Sequence, residues 1–169
     1  MKQLLTPSQD AYNIIRQWET LRCRAYKALP TEKYYTIGYG HCAADVGKNQ
    51  VITPATAEEL LRADVEAYAS LLAHVNPTLT QRQYDALISL IYNIGWYNFI
   101  HSMTGFLVAQ LNTRNKVSPS TVARRIILWT RSGGKELLGL QRRRVFEANY
   151  FLGYEAFVIE DNHIYEHYL

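Results

Sequence analysis

Apolar positions along this chain recur mostly at helical spacing. After Ser8, a good helix N-cap, the positions Ala11, Ile14, Ile15, Trp18 and Arg22 follow one another three and four apart. That spacing predicts an amphipathic helix over residues 9 to about 25. Between Thr31 and His41 the pattern changes: Tyr34, Tyr35, Thr36, Ile37 and Tyr39 favour extended backbone, with Gly38 and Gly40 interleaved. A short hairpin or small sheet is expected there, and it is the one convincing β signal. The helical period then returns. Thr53-Pro54 reads as a cap followed by a first-turn proline, Thr56 with Glu59 suggests a capping box, and Leu61, Val65, Tyr68, Leu72 and Val75 form a stripe ended by Pro77. Thr80 with Gln83 opens another helix through Tyr84, Leu87, Ile88, Ile91 and Ile94 to Gly95, apolar around much of its circumference and expected at the centre of the core. Shorter helices are predicted near 103–112, 119–131 (opened by Ser118-Pro119) and 140–152, with a break at Gly133-Gly134. Residues 154–169 are aromatic without a clear period.

A small sheet near the N-terminus with helices behind it makes the fold class α+β. At 169 residues the chain is expected to be one domain, large enough to bury about 68–70% of its unfolded surface without a metal or disulfide framework. A net charge of +3, with no dense Lys/Arg stripe, points away from nucleic acid and excludes an acidic disordered chain. Thirteen tyrosines against five phenylalanines and three tryptophans suit carbohydrate or partner surfaces, and equally suit ordinary half-buried positions. Cys23 and Cys42 have neither disulfide-framework nor zinc spacing, so no metal and no cofactor are expected. No run of 18 apolar residues occurs, so no membrane insertion is expected, and residues 1–7 are too short and polar for a signal peptide.

The chemistry centres on Glu19. It follows Trp18 at the border of the apolar stripe, partly withdrawn from water, a setting in which a carboxyl group can serve as general acid. An exposed helix glutamate would fit the same position. What singles it out is the segment seventeen residues on, where Thr36 offers a hydroxyl that could hold a water inside Tyr34-Tyr35-Thr36-Ile37-Gly38-Tyr39-Gly40-His41.

Glu19, then Ala25-Tyr26-Lys27, then Tyr35-Thr36-Ile37-Gly38-Tyr39-Gly40-His41 resembles the bacteriophage-type lysozymes, the endolysins of glycoside hydrolase family 24. The likeness continues through Ile52-Thr53-Pro54, Ala57-Glu58-Glu59-Leu60-Leu61, the run 79–87, Tyr92-Asn93-Ile94-Gly95, Leu111-Asn112, Trp129, Gly133-Gly134-Lys135 and the run 139–144. It covers roughly residues 8 to 152 in order, leaving 154–169 as a C-terminal extension. The resemblance implies a lysozyme-like two-lobed molecule with a glycan cleft between a small sheet lobe and a larger helical lobe. It implies cleavage of the β-1,4 bond between N-acetylmuramic acid and N-acetylglucosamine in peptidoglycan, and so bacterial lysis. Glu19 becomes the acid that protonates the leaving sugar oxygen, and Thr36 positions the attacking water. Cys42, Tyr92 and Ser102 fall where the family lines the cleft, although ordinary packing would also account for them. The partner is then the peptidoglycan strand, with a monomer expected. The location is the host bacterial cytoplasm until release to the wall.

One departure matters. The family places an aspartate nine residues after the glutamate and six before the threonine, whereas here those counts reach Ala28 and Pro30. An inverting hydrolase needs a base about 6.5–9.5 Å from its acid. Glu32, four before Thr36, would share its face if both lay on one strand, and a solvated hairpin-tip residue is the alternative. Asp45 is a weaker candidate that also suits a loop cap. A lone Glu19 would suffice for lytic transglycosylation, in which the sugar's own 6-hydroxyl attacks, and a non-catalytic module that binds glycan or a partner is the third reading. His41 beside Cys42 is expected to make an ion pair across the hairpin rather than bind a metal. One of Arg142, Arg143 and Arg144 is expected to turn toward Glu19 or an anionic stem peptide, with the others solvated.

Overall fold

A computed structural model describes residues 5–113 and 117–154. Helix α1 (Gln9–Trp18) starts as its sequence directs: the Ser8 hydroxyl accepts the Asp10 N–H, and Ala11, Tyr12, Ile14 and Ile15 are buried. It ends earlier than the periodicity predicts. Glu19 is already extended (φ −105°, ψ 129°), and Arg22–Tyr26 forms strand β1 rather than a last helical turn. The reason is long-range. β1 pairs antiparallel with β2 (Tyr35–Gly38), which pairs in turn with β3 (His41–Ala43), in the order β1-β2-β3. Residues 50–52 add to the outer edge of β1, where the Ala25 and Ile52 amides donate to Gln50 and Cys23 carbonyls, both at 2.9 Å. Pairing along both edges outweighs the weak helical spacing that Arg22 prolonged.

Helix α2 (Pro54–Val75) is capped by Thr53, whose hydroxyl accepts the Thr56 N–H at 3.1 Å, so the cap is Thr53 and not the Thr56/Glu59 box. Helix α3 (Gln81–Ile94) carries the capping box that Thr80 and Gln83 announce and is the most buried helix in its run from Gln83 to Ile91. A short helix α4 (Trp96–Ile100), which periodicity missed, leads into α5 (Met103–Gln110). The approach is so close that a Cβ on Gly105 would lie 2.4 Å from the Phe99 carbonyl oxygen, so only glycine fits. Helix α6 (Pro119–Ile126) stops short of the expected 131, and Gly133-Gly134 turns a two-residue hairpin, β4 (Arg131–Ser132) with β5 (Lys135–Glu136). Helix α7 (Leu138–Leu152) closes at Gly153, which is left-handed at φ 90°. The aromatic segment at 155–169 lies outside the described residues.

Among the described residues there are two hydrophobic cores. The large one joins α1, α2, α3, α5, α6 and α7 around Ile15, Leu61, Leu87, Ile91 and Phe151. The small one gathers Ala25, Ile37 and Val46 from the sheet and its following loop, with Leu60 of α2 packed against it. Helix α2 therefore belongs to both, with its first turns on the sheet and the rest in the helical core. The α+β expectation holds, with a small antiparallel sheet near the N-terminus and a larger helical part. Among the described residues, no helix is long and apolar enough to cross a membrane.

Candidate active site

Glu19 sits where α1 stops. Its backbone N–H donates to Ile15 at 2.9 Å, closing the last turn, and its side chain stays 22% exposed. Its carboxylate accepts a hydrogen bond from the guanidinium of Arg143 on α7. Arg143 is itself buried and held on its remaining sides. Nε donates to Glu147 at 3.0 Å, and Nη2 donates to the Ser89 carbonyl at 3.1 Å. The Ser89 hydroxyl donates to the same Glu147 oxygen at 2.6 Å. Burial works against the charge of Arg143, but Glu147 and then Glu19 outweigh it and push its proton affinity up.

Arg144 is also fully buried. It donates to Asn93 at 2.6 Å and lies 3.1 Å from Glu147, close enough for an ion pair although not aligned for a hydrogen bond. Here burial wins and lowers its proton affinity, with Glu147 offsetting part of the effect. Sequence reasoning expected one inward arginine of three. The structure buries two and leaves Arg142 exposed, because Glu147, one helical turn on and 0% exposed, gives both a counter-charge. Glu147 and Ser89 were missed. The signal was available as a glutamate at i+4 from Arg143 and i+3 from Arg144, and as a serine in the otherwise apolar middle of α3.

The sheet supplies the other side. Thr36 pairs with Tyr26 on β1 and with Cys42 on β3. Residues directly opposite on neighbouring strands share a face, so Tyr26, Thr36 and Cys42 form one lateral row while Ile37 points into the small core. That row faces acidic groups. Burial raises the proton affinity of the Tyr26 hydroxyl, Arg22 opposes, and Glu19, Glu32 and Cys42 add to the rise. Tyr92 of α3 stands between the two sides. Its hydroxyl donates to the Tyr39 carbonyl at 2.9 Å, its ring meets Tyr68 edge-on at 6.3 Å, and burial, then Asp64, then Glu19 raise its proton affinity and keep it un-ionised. The β2–β3 turn comes close to the acid: a Cβ on Gly40 (φ 99°) would lie 3.7 Å from a Glu19 carboxylate oxygen and 3.8 Å from the Tyr92 ring.

The remaining candidates have other partners. Glu32 is not on a strand, since β2 begins at Tyr35, so strand alternation does not align it with Thr36. Its carboxylate accepts the Ala28 N–H at 2.9 Å, and its carbonyl accepts from Lys27 at 2.6 Å, folding the loop on itself. Ser102 caps α5, donating to the Phe99 carbonyl at 2.7 Å and accepting the Gly105 N–H at 3.1 Å. His41 pairs with Asp64 of α2 at 2.9 Å and lies 3.7 Å from Asp45, four residues further along the chain, so neither carboxylate is the partner expected across the hairpin. Cys42 is an exposed free thiol, and Cys23 is free and half-buried. Among the described residues, no group of three His, Cys, Asp or Glu side chains gathers where it could hold a metal ion.

Comparisons of the chain with known proteins point to one family. The phage lysozyme family model matches residues 16–147. The chain is 43% identical over 150 residues to the endolysin of Bacillus phage B103, with 88% of this chain and 55% of that protein covered. It is 34% identical over 149 residues to an endolysin of Acyrthosiphon pisum secondary endosymbiont phage 1, with 85% and 96% covered. Among solved structures it is similar to the muramidase domain of SpmX from Asticaccaulis excentricus, at 31% identity and a TM-score of 0.74, covering 87% of this chain and 97% of that one. The chain spans about half the length of the Bacillus phage endolysins it matches. With the family model matched over residues 16–147 and a relative 34% identical along nearly its whole length, this chain belongs to the phage lysozyme family.

Proposed function

We propose that this chain cleaves the β-1,4 bond between N-acetylmuramic acid and N-acetylglucosamine in bacterial peptidoglycan, with Glu19 as the general acid. The observation that carries the proposal is the setting of Glu19, a half-buried carboxyl at a helix end, held by a buried, charge-balanced arginine beside a glycine turn. The acid is thereby oriented before substrate arrives, which is how a fixed group lowers a barrier. Family membership and relatives named endolysin and muramidase support the same substrate and a lytic role. The chain would act as a monomer on peptidoglycan strands, held in the host cytoplasm until it reaches the wall. Thr36 would position water on the sheet side, with Cys42, Tyr92 and Ser102 as further cleft contacts.

The base is the open part, and one observation favours a second reading. Ala28 and Pro30 occupy the positions expected for an aspartate, and the Glu32 carboxylate is engaged with its own loop. Hydrolysis through Glu32 requires that loop to release the Ala28 amide and bring the carboxylate to a water. Transglycosylation requires no second carboxylate. Glu19 gives its proton to the departing oxygen as the C1–O bond breaks, and the resulting carboxylate takes the proton of the muramic acid 6-hydroxyl as that oxygen bonds to C1, which returns Glu19 to its acid form.

Mass spectrometry of purified peptidoglycan after incubation with the chain separates these chemistries. Reducing muramic ends mean hydrolysis, and anhydromuramic ends mean transglycosylation. No fragments, with protein retained on the wall, would make this a binding module and overturn the proposal. Glu19→Gln should reduce fragment release by about a thousandfold, within the usual range for losing a general acid, without changing the melting temperature downward. Release at the parent's rate would remove Glu19 from the mechanism.

A further inference from the structure

Where α1 meets the first turns of α2, Arg16 grips Glu58 with two nitrogens. Nε donates to both carboxylate oxygens at 2.9 and 3.2 Å, and Nη2 donates to one of them at 2.5 Å. The pair is only partly exposed, at 25% and 32%. The Tyr39 hydroxyl belongs to the same neighbourhood: together with Arg16 it favours the ionised Glu58 carboxyl, and burial and Glu58 raise its own proton affinity. Tyr39 also begins the β2–β3 turn, and its carbonyl is the acceptor for Tyr92. The next residue, Gly40, faces the Glu19 carboxylate, which a Cβ added there would meet at 3.7 Å. Arg16 stands one helical turn before Glu19, so a continuous chain of contacts leaves α1 at Arg16 and returns to the end of α1 through the turn.

Two features make this more than a surface ion pair. A fork-to-carboxylate geometry fixes direction as well as distance, so the pair sets the angle between α1 and the start of α2. The start of α2 in turn carries the sheet, because Ala57 packs against Gly38, whose added Cβ would lie 3.4 Å from the Ala57 Cβ. Arg16 also lies over the Tyr12 ring at 6.0 Å, which restrains its stem. An exposed pair of this kind contributes little to global stability, so its consequence is expected in geometry.

We propose that Arg16, Glu58 and Tyr39 form a clasp that holds the β2–β3 turn against Glu19, which makes Arg16 and Glu58 positioning residues for the reaction. The assignment rests on the reading of Glu19 as the acid, and its test includes a measurement that does not depend on activity.

Full chains carrying Arg16→Met, Glu58→Gln, both changes, or the conservative Arg16→Lys are compared with the parent in three ways. These are kcat and KM for release of fragments from peptidoglycan, melting temperature, and amide hydrogen exchange over residues 38–42. Each single removal should lower kcat about tenfold, with KM within about twofold, since small misplacement of a reacting group costs rate more than binding. The double variant should be no slower than the slower single, because the two residues act as one unit. Arg16→Lys should recover part of the rate. Exchange at 38–42 should quicken in all three removal variants while the melting temperature falls by only a few degrees. Unchanged exchange at 38–42 overturns the clasp, as does a double variant whose loss is the product of the two single losses. A parent that releases no fragments overturns the catalytic reading alone, and exchange then still decides whether the clasp holds the turn.

Discussion

The two sides of the candidate site are built by different means. On the helical side, Glu19 meets Arg143, which is locked by Glu147 and Ser89 inside the α3–α7 contact, and every member but Glu19 is buried. On the sheet side, Thr36 and Cys42 stand on strands of four and three residues, over a core of three buried apolar side chains, of which Ile37 alone is wholly enclosed. Buried charges with fixed partners give a stiff scaffold, because any movement strands a charge in a low-dielectric setting. Half-exposed side chains on a short sheet move at little cost. The chain's departure from the family spacing falls on the sheet side, between Glu19 and Thr36, where extra residues can be absorbed in a loop. Glu19, by contrast, is held at the end of α1 by a partner that is itself buried.

That contrast can be broken first on its rigid side. Glu147→Ala leaves two buried arginines without their shared counter-charge and should cost about 3–5 kcal/mol, read as a large fall in denaturant midpoint. A loss under 1 kcal/mol, taken as about the value for an exposed pair, would show that the cluster is not the scaffold claimed here. Tyr92→Phe tests the bridge between the sides. It leaves the Tyr39 carbonyl without its hydroxyl donor and should cost about 1 kcal/mol in the same titration.

On the soft side, Glu32→Ala should cost at most about 1 kcal/mol of stability, since it removes one loop hydrogen bond. Its effect on fragment release then sharpens the chemistry. Loss of release implicates Glu32 as base, and unchanged release leaves Glu19 to act alone. The smallest effect is expected from pH. Arg16, and then the Tyr39 hydroxyl, hold the Glu58 carboxyl below its ordinary value against the opposing effect of burial. A lowered folded-state value means that the stabilisation is complete above about pH 4.3, the unfolded value, and is lost as pH falls through the lower folded one. Melting temperatures of the parent and Glu58→Gln should differ at pH 6 and converge below about pH 4. A gap that persists at pH 3 would assign the difference to packing.

Much of the helical lobe was legible in the residues. Thr80 with Gln83, Thr53-Pro54 and Ser118-Pro119 mark true helix starts, because a cap is settled by neighbours three or four residues away. Glu19 and the turn through Gly40 were legible as well. The strand β1 was not, because Arg22–Tyr26 is extended only through pairing with residues further along the chain. The strand reading of Glu32 failed for a related reason, since alternation presumes a strand and the strand begins three residues later, which leaves Glu32 in the loop as its other reading had it. The burial of Arg144 was hidden because three adjacent arginines read as a solvated face until a buried glutamate on the same helix is known to meet two of them.

What the sequence by itself determined is the set of local decisions: where most helices begin, which faces turn inward, and that a carboxyl group follows Trp18 at the border of the first apolar stripe. These follow from periodicity and capping, which act within a turn or two. The tertiary structure alone decided what surrounds that carboxyl. The Glu19–Arg143 contact spans 124 positions, Ser89–Glu147 spans 58, and Arg16–Glu58 spans 42. Contacts of that reach form only when packing brings the elements together, and no local rule can specify them.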